Sequence, residues 1–144
     1  MSKVSAYLNF AGNTEEAFNF YKSVFNTEFA APIMYNRDIP PHLGLPELPE
    51  NEKGKVMHAC LPILGGFQLM GTDVLESMGH QLKIGNNITI NLEPDTREET
   101  ERLFKALSEG STQMAPLQDM FWGSYWGTCL DRYGIRWMFN CAAK

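Results

Sequence analysis

His58 stands in the middle of an apolar run, "VMHAC" from Val56 to Cys60. An imidazole there, with an ordinary pKa of about 6.5, suits a general acid, a general base or a hydrogen-bond donor in a cavity. It suits a satisfied core or interface position equally well. Arg136 lies in the closing run "YGIRWMFN" and, by strand alternation, shares a face with Met138 and Asn140. If that face lines a cavity, its guanidinium can hold an anionic ligand group; the competing role is a cross-strand ion pair. The stretch from Asp119 to Asn140, "DMFWGSYWGTCLDRYGIRWMFN", holds all three tryptophans of the chain. Trp122, Tyr125, Trp126 and Trp137, with Met57, Met70 and Met138 as neighbours, form an adaptable apolar wall for a planar or greasy ligand. The same rings serve equally as sheet core, and Trp122 and Trp126 as a dimer interface.

Other reactive groupings are missing from the sequence. His42 and His80 stand in polar loops with no neighbouring ligand types, and both read as solvated. No serine sits in a nucleophile elbow, and no cysteine has an adjacent histidine to lower its pKa. Cys60, Cys129 and Cys141 are an odd set without C-x-x-C spacing, which favours free, mostly buried thiols over disulfides or a zinc site.

The elements that must position these groups repeat. "AYLNF" (Ala6 to Phe10) and "ITINL" (Ile88 to Leu92) alternate as strands. Each is followed by a helix start with capping-box spacing: Asn13 three residues before Glu16, and Thr96 three before Glu99. At the same offset Ala17, Phe20, Tyr21 and Val24 answer to Thr100, Leu103, Phe104 and Leu107, the stripe of an amphipathic helix. "API" (Ala31 to Ile33) and "APL" (Ala115 to Leu117) follow, and each half closes with a hairpin turning at Gly65-Gly66 or Tyr133-Gly134. The spacing predicts one domain over 1–144: module one about 1–72, a linker about 73–86, and module two about 87–144. The run Asn36 to Gly54, rich in proline, glycine and charge, predicts a long loop without helix or strand, acting as a lid, a partner-covering arm or a plain surface insertion.

With 144 residues, 44% of them hydrophobic and 20% charged, the chain has the makings of one globular domain. A net charge of −5 leaves no basic surface for a phosphate backbone, so nucleic acid is not an expected partner. No apolar run approaches the roughly 20 residues that cross a bilayer, and a cytoplasmic location without membrane association is expected.

With its paired βαβββ pattern, "YLNFAGNTEEAFNFYKSVF", "VMHACLPI" and "MFWGSYWGTCLDRYGIRWMFN", the chain resembles a PhnB-like member of the glyoxalase/bleomycin-resistance group, the vicinal oxygen chelate superfamily. The resemblance implies an α+β fold: two tandem βαβββ modules forming a partly open barrel around a cavity, helices outside, often as a homodimer. It implies that metal-dependent members are lyases, isomerases, dioxygenases or thiol transferases. Relatives often carry a ubiquinone methyltransferase label, for which this chain has no glycine-rich methyl-donor fingerprint. The family's four metal-ligand positions, carried over from the first helix and the turn glycines, fall on Ala6, Met70, Ile88 and Met138, none of which holds a hard or borderline divalent ion. The expectation is therefore a protein with neither metal nor other cofactor, binding a small apolar or aromatic molecule between the modules through Phe10, Met70, Trp126, Arg136, Trp137 and Met138. The alternative is a superfamily enzyme, using a metal held by other side chains or proton transfer by His58.

Overall fold

The computed structural model describes residues 2–40 and 47–142. The chain divides into two compact units, Met1–Lys83 and Ile84–Lys144. In the first, strand β1 (Ala6–Phe10) leads into helix α1 (Thr14–Phe25), then β2 (Met34–Tyr35), a short helix α2 (Glu50–Lys53), β3 (Val56–Pro62) and β4 (Gln68–Asp73). In the second, β5 (Ile90–Leu92) leads into α3 (Arg97–Leu107), then β6 (Met114–Asp119), β7 (Tyr125–Leu130) and β8 (Arg136–Cys141). The sheet orders are β1-β4-β3-β2 and β5-β8-β7-β6, so the first strand of each unit pairs with the last. That pairing is parallel in both, and the others are antiparallel. The duplication seen in the sequence is thus a duplicated topology: two α+β modules, each a mixed four-stranded sheet, and neither sheet closes into a barrel. Among the described residues, no helix is long and apolar enough to cross a membrane.

Each sheet has one face covered by its helix. In the first module Ala17, Phe18, Tyr21 and Val24 of α1 pack with Phe10, Ala59, Leu61 and Leu69, all nearly solvent-free. Ala17, Tyr21 and Val24 of the expected stripe are buried, and Phe18 takes the buried place expected for Phe20, which is half-buried. The reason lies in β4. A Cβ built on Gly71 would meet the Phe18 ring at 2.5 Å, so only glycine lets that ring lie on the sheet. In the second module Thr100, Leu103 and Leu107 of α3 cover Leu92, Cys129, Trp137, Phe139 and Cys141. The three cysteines are free, two of them buried.

The two helix starts are capped differently despite their matching sequence. Thr96 Oγ1 accepts from the Glu99 amide at 3.1 Å, as its spacing predicts. Asn13 makes no such bond. The start of α1 instead finds Asp73, whose Oδ1 accepts from Gly12 N at 3.1 Å, Thr14 N at 3.0 Å and Thr14 Oγ1 at 2.6 Å. Its Oδ2 accepts from Val56 N at 2.8 Å. A carboxylate at a helix N-terminus is a stronger partner than a carboxamide, through both charge and the helix dipole.

Three further expectations are corrected. The strand expected at Ala31 to Ile33 forms just beyond it, as Met34–Tyr35, whereas "APL" lies within β6. The run Asn36 to Gly54 contains a 3-10 turn (Asn36–Asp38) and α2, where Pro49 precedes the first turn and Glu50 pairs with Lys53 at 2.7 Å; residues 41–46 of it, with His42, lie outside the described residues. The fifth strand starts at Ile90, two residues later than the alternation in "ITINL" suggested.

Candidate functional site

With helices on one face, chemistry is available on the other. In β1 the alternation that sends Ala6, Leu8 and Phe10 toward α1 leaves Tyr7 and Asn9 on the open face, opposite Met70 and Thr72 of β4. Cys60 pairs with Met70 from the other side. His58 reaches this face too, its half-buried ring stacked on Tyr7 at 5.9 Å and 23°.

Beside these residues opens a cleft of about 810 Å³. Its sheet side is Tyr7, Asn9, Met57 and Thr72, and its rim includes Asn36 and Ile39. The opposite wall is the run Val74 to Lys83, which contributes Val74, Leu75, His80 and Leu82. That run was expected to be a bare linker, and it is built more firmly. Val74 N donates to Phe10 O at 2.8 Å, extending the β1–β4 ladder, and a 3-10 turn (Glu76–Met78) ends at Gly79, whose φ of 80° favours glycine. The turn is tied down by Glu52 of α2, 3% exposed, which accepts from Ser77 N at 3.1 Å and from the Ser77 hydroxyl. Those two bonds, the hydroxyl's first, hold the Glu52 carboxyl below the usual carboxylate range. Asn36 Nδ2 in turn donates to Glu52 O at 3.0 Å.

On the second sheet the open face carries Trp126, Thr128 and Leu130 of β7 opposite Asn140, Met138 and Arg136 of β8. Asn91 lies beside Met138 and donates to Glu93 at 2.8 Å. Phe121 meets Trp122 at 5.0 Å, and Trp122 meets Trp126 at 6.0 Å, both edge to face. The sequence candidates therefore separate. Met70, Trp126, Arg136 and Met138 stand on open faces. Phe10 and Trp137 do not. Phe10 is 1% exposed against Phe18, and Trp137 is fully buried, its indole N–H donating to Asp131 Oδ2 at 2.8 Å. Strand period two makes this unavoidable for Trp137, since Arg136 and Met138 flank it on the opposite face. Tyr125 also leaves the expected wall: its ring lies under the Arg97 guanidinium, at 3.8 Å, and its hydroxyl donates to Glu101 at 3.0 Å.

Two of the four expected metal positions, Ala6 and Ile88, stand off the open faces. Ala6 pairs with Leu69 on the helix side, and Ile88 precedes β5, 77% exposed. The open-face partner of Met70 is Tyr7, and that of Met138 is Asn91. In each sheet taken by itself the pair is one neutral polar group and one thioether, the Tyr7 phenol with Met70 and the Asn91 carboxamide with Met138, and neither offers the imidazole or carboxylate donors that a hard or borderline divalent ion needs. Among the described residues, no cluster of three or more His, Cys, Asp or Glu could hold one. Neither of these two pairs fits the superfamily's metal. Sequence reasoning missed Tyr7, Asn9 and the Val74 to Lys83 wall; the polar parity of "YLN" within β1 was the available signal for the first two.

Residues 2–139 match the family model described as 3-demethylubiquinone-9 3-methyltransferase. Protein PA1353 from Pseudomonas aeruginosa is similar over the whole of both chains, at 33% identity and a TM-score of 0.84. A putative 3-demethylubiquinone-9 3-methyltransferase, PhnB protein, from Bacillus cereus is similar over 98% of this chain and 100% of its own, at 26% identity and a TM-score of 0.74. A glyoxylase/bleomycin resistance protein/dioxygenase domain from Frankia sp. EAN1pec shares the fold at 11% identity and a TM-score of 0.64, over 98% of this chain and 92% of that one.

Proposed function

The chain belongs to the family described as 3-demethylubiquinone-9 3-methyltransferase, within the PhnB-like, glyoxalase/bleomycin-resistance fold, and from that premise we propose that it is a metal-free binding protein for a small apolar or aromatic molecule. The observation that carries this reading is the first-module cleft. At about 810 Å³ it falls in the range of small-molecule sites, roughly 300–1,000 Å³. Ile39, Met57, Val74, Leu75 and Leu82 give it apolar walls, and Asn9, Asn36 and Thr72 give it a few fixed polar groups. Binding requires only such a pocket, whereas the superfamily's metal chemistry requires donors that neither Tyr7 and Met70 in the first sheet nor Asn91 and Met138 in the second supply.

Methyl transfer, the activity in the family's description, finds little support in these residues. A nucleotide-like methyl donor is ordinarily held at a glycine-rich turn opening onto a helix N-terminus. Here β1 reaches α1 with Gly12 as the only glycine, β5 reaches α3 with none, and the first α1 amide, Thr14 N, is already taken by the Asp73 carboxylate together with Gly12 N. A homodimer is part of the proposal, supported by apolar surface in the second module: Phe121 is 96% exposed and Trp122 49%.

Nile red, a neutral apolar dye whose emission rises on leaving water, tests the reading. The wild-type protein is expected to bind it, with no change on adding a chelator, and Leu82→Asp to bind it about tenfold more weakly while keeping its circular dichroism. A dye that ignores the wild-type protein, or binds the variant equally well, overturns the cleft as the site.

A further inference from the structure

We propose that Arg136 anchors an oxyanion-binding subsite on the open face of the second sheet, taking the carboxylate or phosphonate of a ligand whose apolar part runs over Met138 toward Trp126. The arginines of the second module differ in their partners. Arg97 is paired with Asp119 at 2.7 Å, Arg102 with Glu99 at 2.6 Å, and Arg132 with Glu109 at 4.0 Å. Arg136 makes no ion pair or hydrogen bond among the described residues, and its Nε is buried with no partner at all. The side chains around it on the face are apolar: Leu130 directly across the strand pair and Met138 two residues on.

Burying a guanidinium N–H without an acceptor costs free energy, and it costs more for a charged group than a neutral one. A surface arginine whose only task is solubility would keep Nε in water. With Nε turned inward, the half-buried guanidinium presents its two terminal nitrogens to the open face, and an anion with two oxygens can take both side by side while offsetting the charge that burial leaves uncompensated. From Arg136 the face continues through Met138 and Thr128 to Trp126 and Asn140, a span of about 13 Å at the rise of a β-strand. An aromatic tail of moderate length attached to the oxyanion would reach the indole. The inference rests on the second module alone and stands whether or not the first-module cleft binds its own ligand.

Three matched probes test it, read by tryptophan emission: 4-phenylbutanoate, 3-phenylpropylphosphonate and the neutral 4-phenylbutanamide. At least one anion is expected to bind about tenfold or more tightly than the amide, and the tighter of the two identifies the oxyanion class. Arg136→Met is expected to remove that preference, leave amide binding unchanged and unfold at or above the wild-type temperature, because it deletes an unpaired buried N–H. Arg136→Lys, which keeps the charge and loses the fork, is expected to bind the anion with intermediate strength. Three results overturn the proposal: equal affinity for amide and anions, unchanged anion binding in Arg136→Met, or no response to either anion up to about 10 mM, where fragments of this size bind. A marked loss of thermal stability in both variants also overturns it, since it would mean that the guanidinium has a structural partner.

Discussion

The helix caps give the sharpest stability prediction, because sequence spacing treats them as equal and the structure does not. Replacing Asp73 by alanine removes four hydrogen bonds at once, three on Oδ1 and one on Oδ2. Three of the orphaned donors, Thr14 N, Thr14 Oγ1 and Val56 N, are buried. At about 1–3 kcal/mol for each unsatisfied buried donor, the loss is about 6 kcal/mol. Asp73→Asn has to turn its amide nitrogen toward one set of donors, and the side with the single bond, Val56 N, costs least; about half the damage is expected. Thr96→Ala removes one exposed cap bond and is expected to cost about 1 kcal/mol. Asn13→Ala, with no cap bond to lose, is expected to stay within about 0.5 kcal/mol of wild type. Urea denaturation followed by far-ultraviolet circular dichroism measures all four; tryptophan emission is a poor substitute, since every tryptophan lies in the second module. A cost for Asn13→Ala equal to that for Thr96→Ala, or an Asp73→Ala variant within about 1 kcal/mol of wild type, would refute the assignment of the cap to Asp73.

Gly71→Ala drives a methyl group to 2.5 and 2.8 Å from two carbons of the buried Phe18 ring and is expected to destabilise by about 2 kcal/mol or more, seen as a lower urea midpoint with an unchanged slope. Trp137→Ala is expected to cost about 3–5 kcal/mol, and Trp126→Ala, half-buried on the open face, only about 1–2 kcal/mol; the same urea titrations rank them. Burial first, and the neighbouring Asp131 charge second, push the Cys129 thiol up to about 12 from an ordinary value near 9.0. The folded state then holds a proton that the unfolded chain releases, so the thiol's contribution is full below about pH 9 and fades as pH rises toward about 12, with a slope of at most about 1.4 kcal/mol per pH unit. Cys129→Ala should show a flatter loss of stability over that window than wild type, and identical slopes would refute the shift.

Much of the fold was legible because strand and helix periods are local. The α3 stripe, its Thr96 cap, the turn glycines and the Arg136-Met138-Asn140 face all follow from spacings of a few residues. What was not legible depends on residues far apart. Asn13 has the right type three residues before Glu16, yet it yields to Asp73, some 60 positions on, which no local pattern reveals. In "ITINL" every second residue is an isoleucine or leucine, so a two-residue change in where the strand begins leaves its pattern unaltered while moving Ile88 off the sheet. Counting Arg136, Trp137 and Met138 together as ligand residues conflicts with strand alternation itself, and the structure resolves the conflict by sending Trp137 to Asp131. The cleft wall from Val74 to Lys83 has the composition of a linker; only the bonds of Ser77 to Glu52 and of Val74 to Phe10 make it a wall.

The binding of an apolar molecule in the first-module cleft without a metal is tested most directly by a backbone-amide NMR titration. The protein, treated with a chelator, is titrated with a neutral aromatic such as naphthalene or Nile red. The expected result is a set of shifts concentrated at Tyr7, Asn9, Met57, Thr72, Leu75 and Leu82, the same before and after a divalent metal is added. Shifts that appear only once metal is present, or that spare these residues altogether, would contradict it.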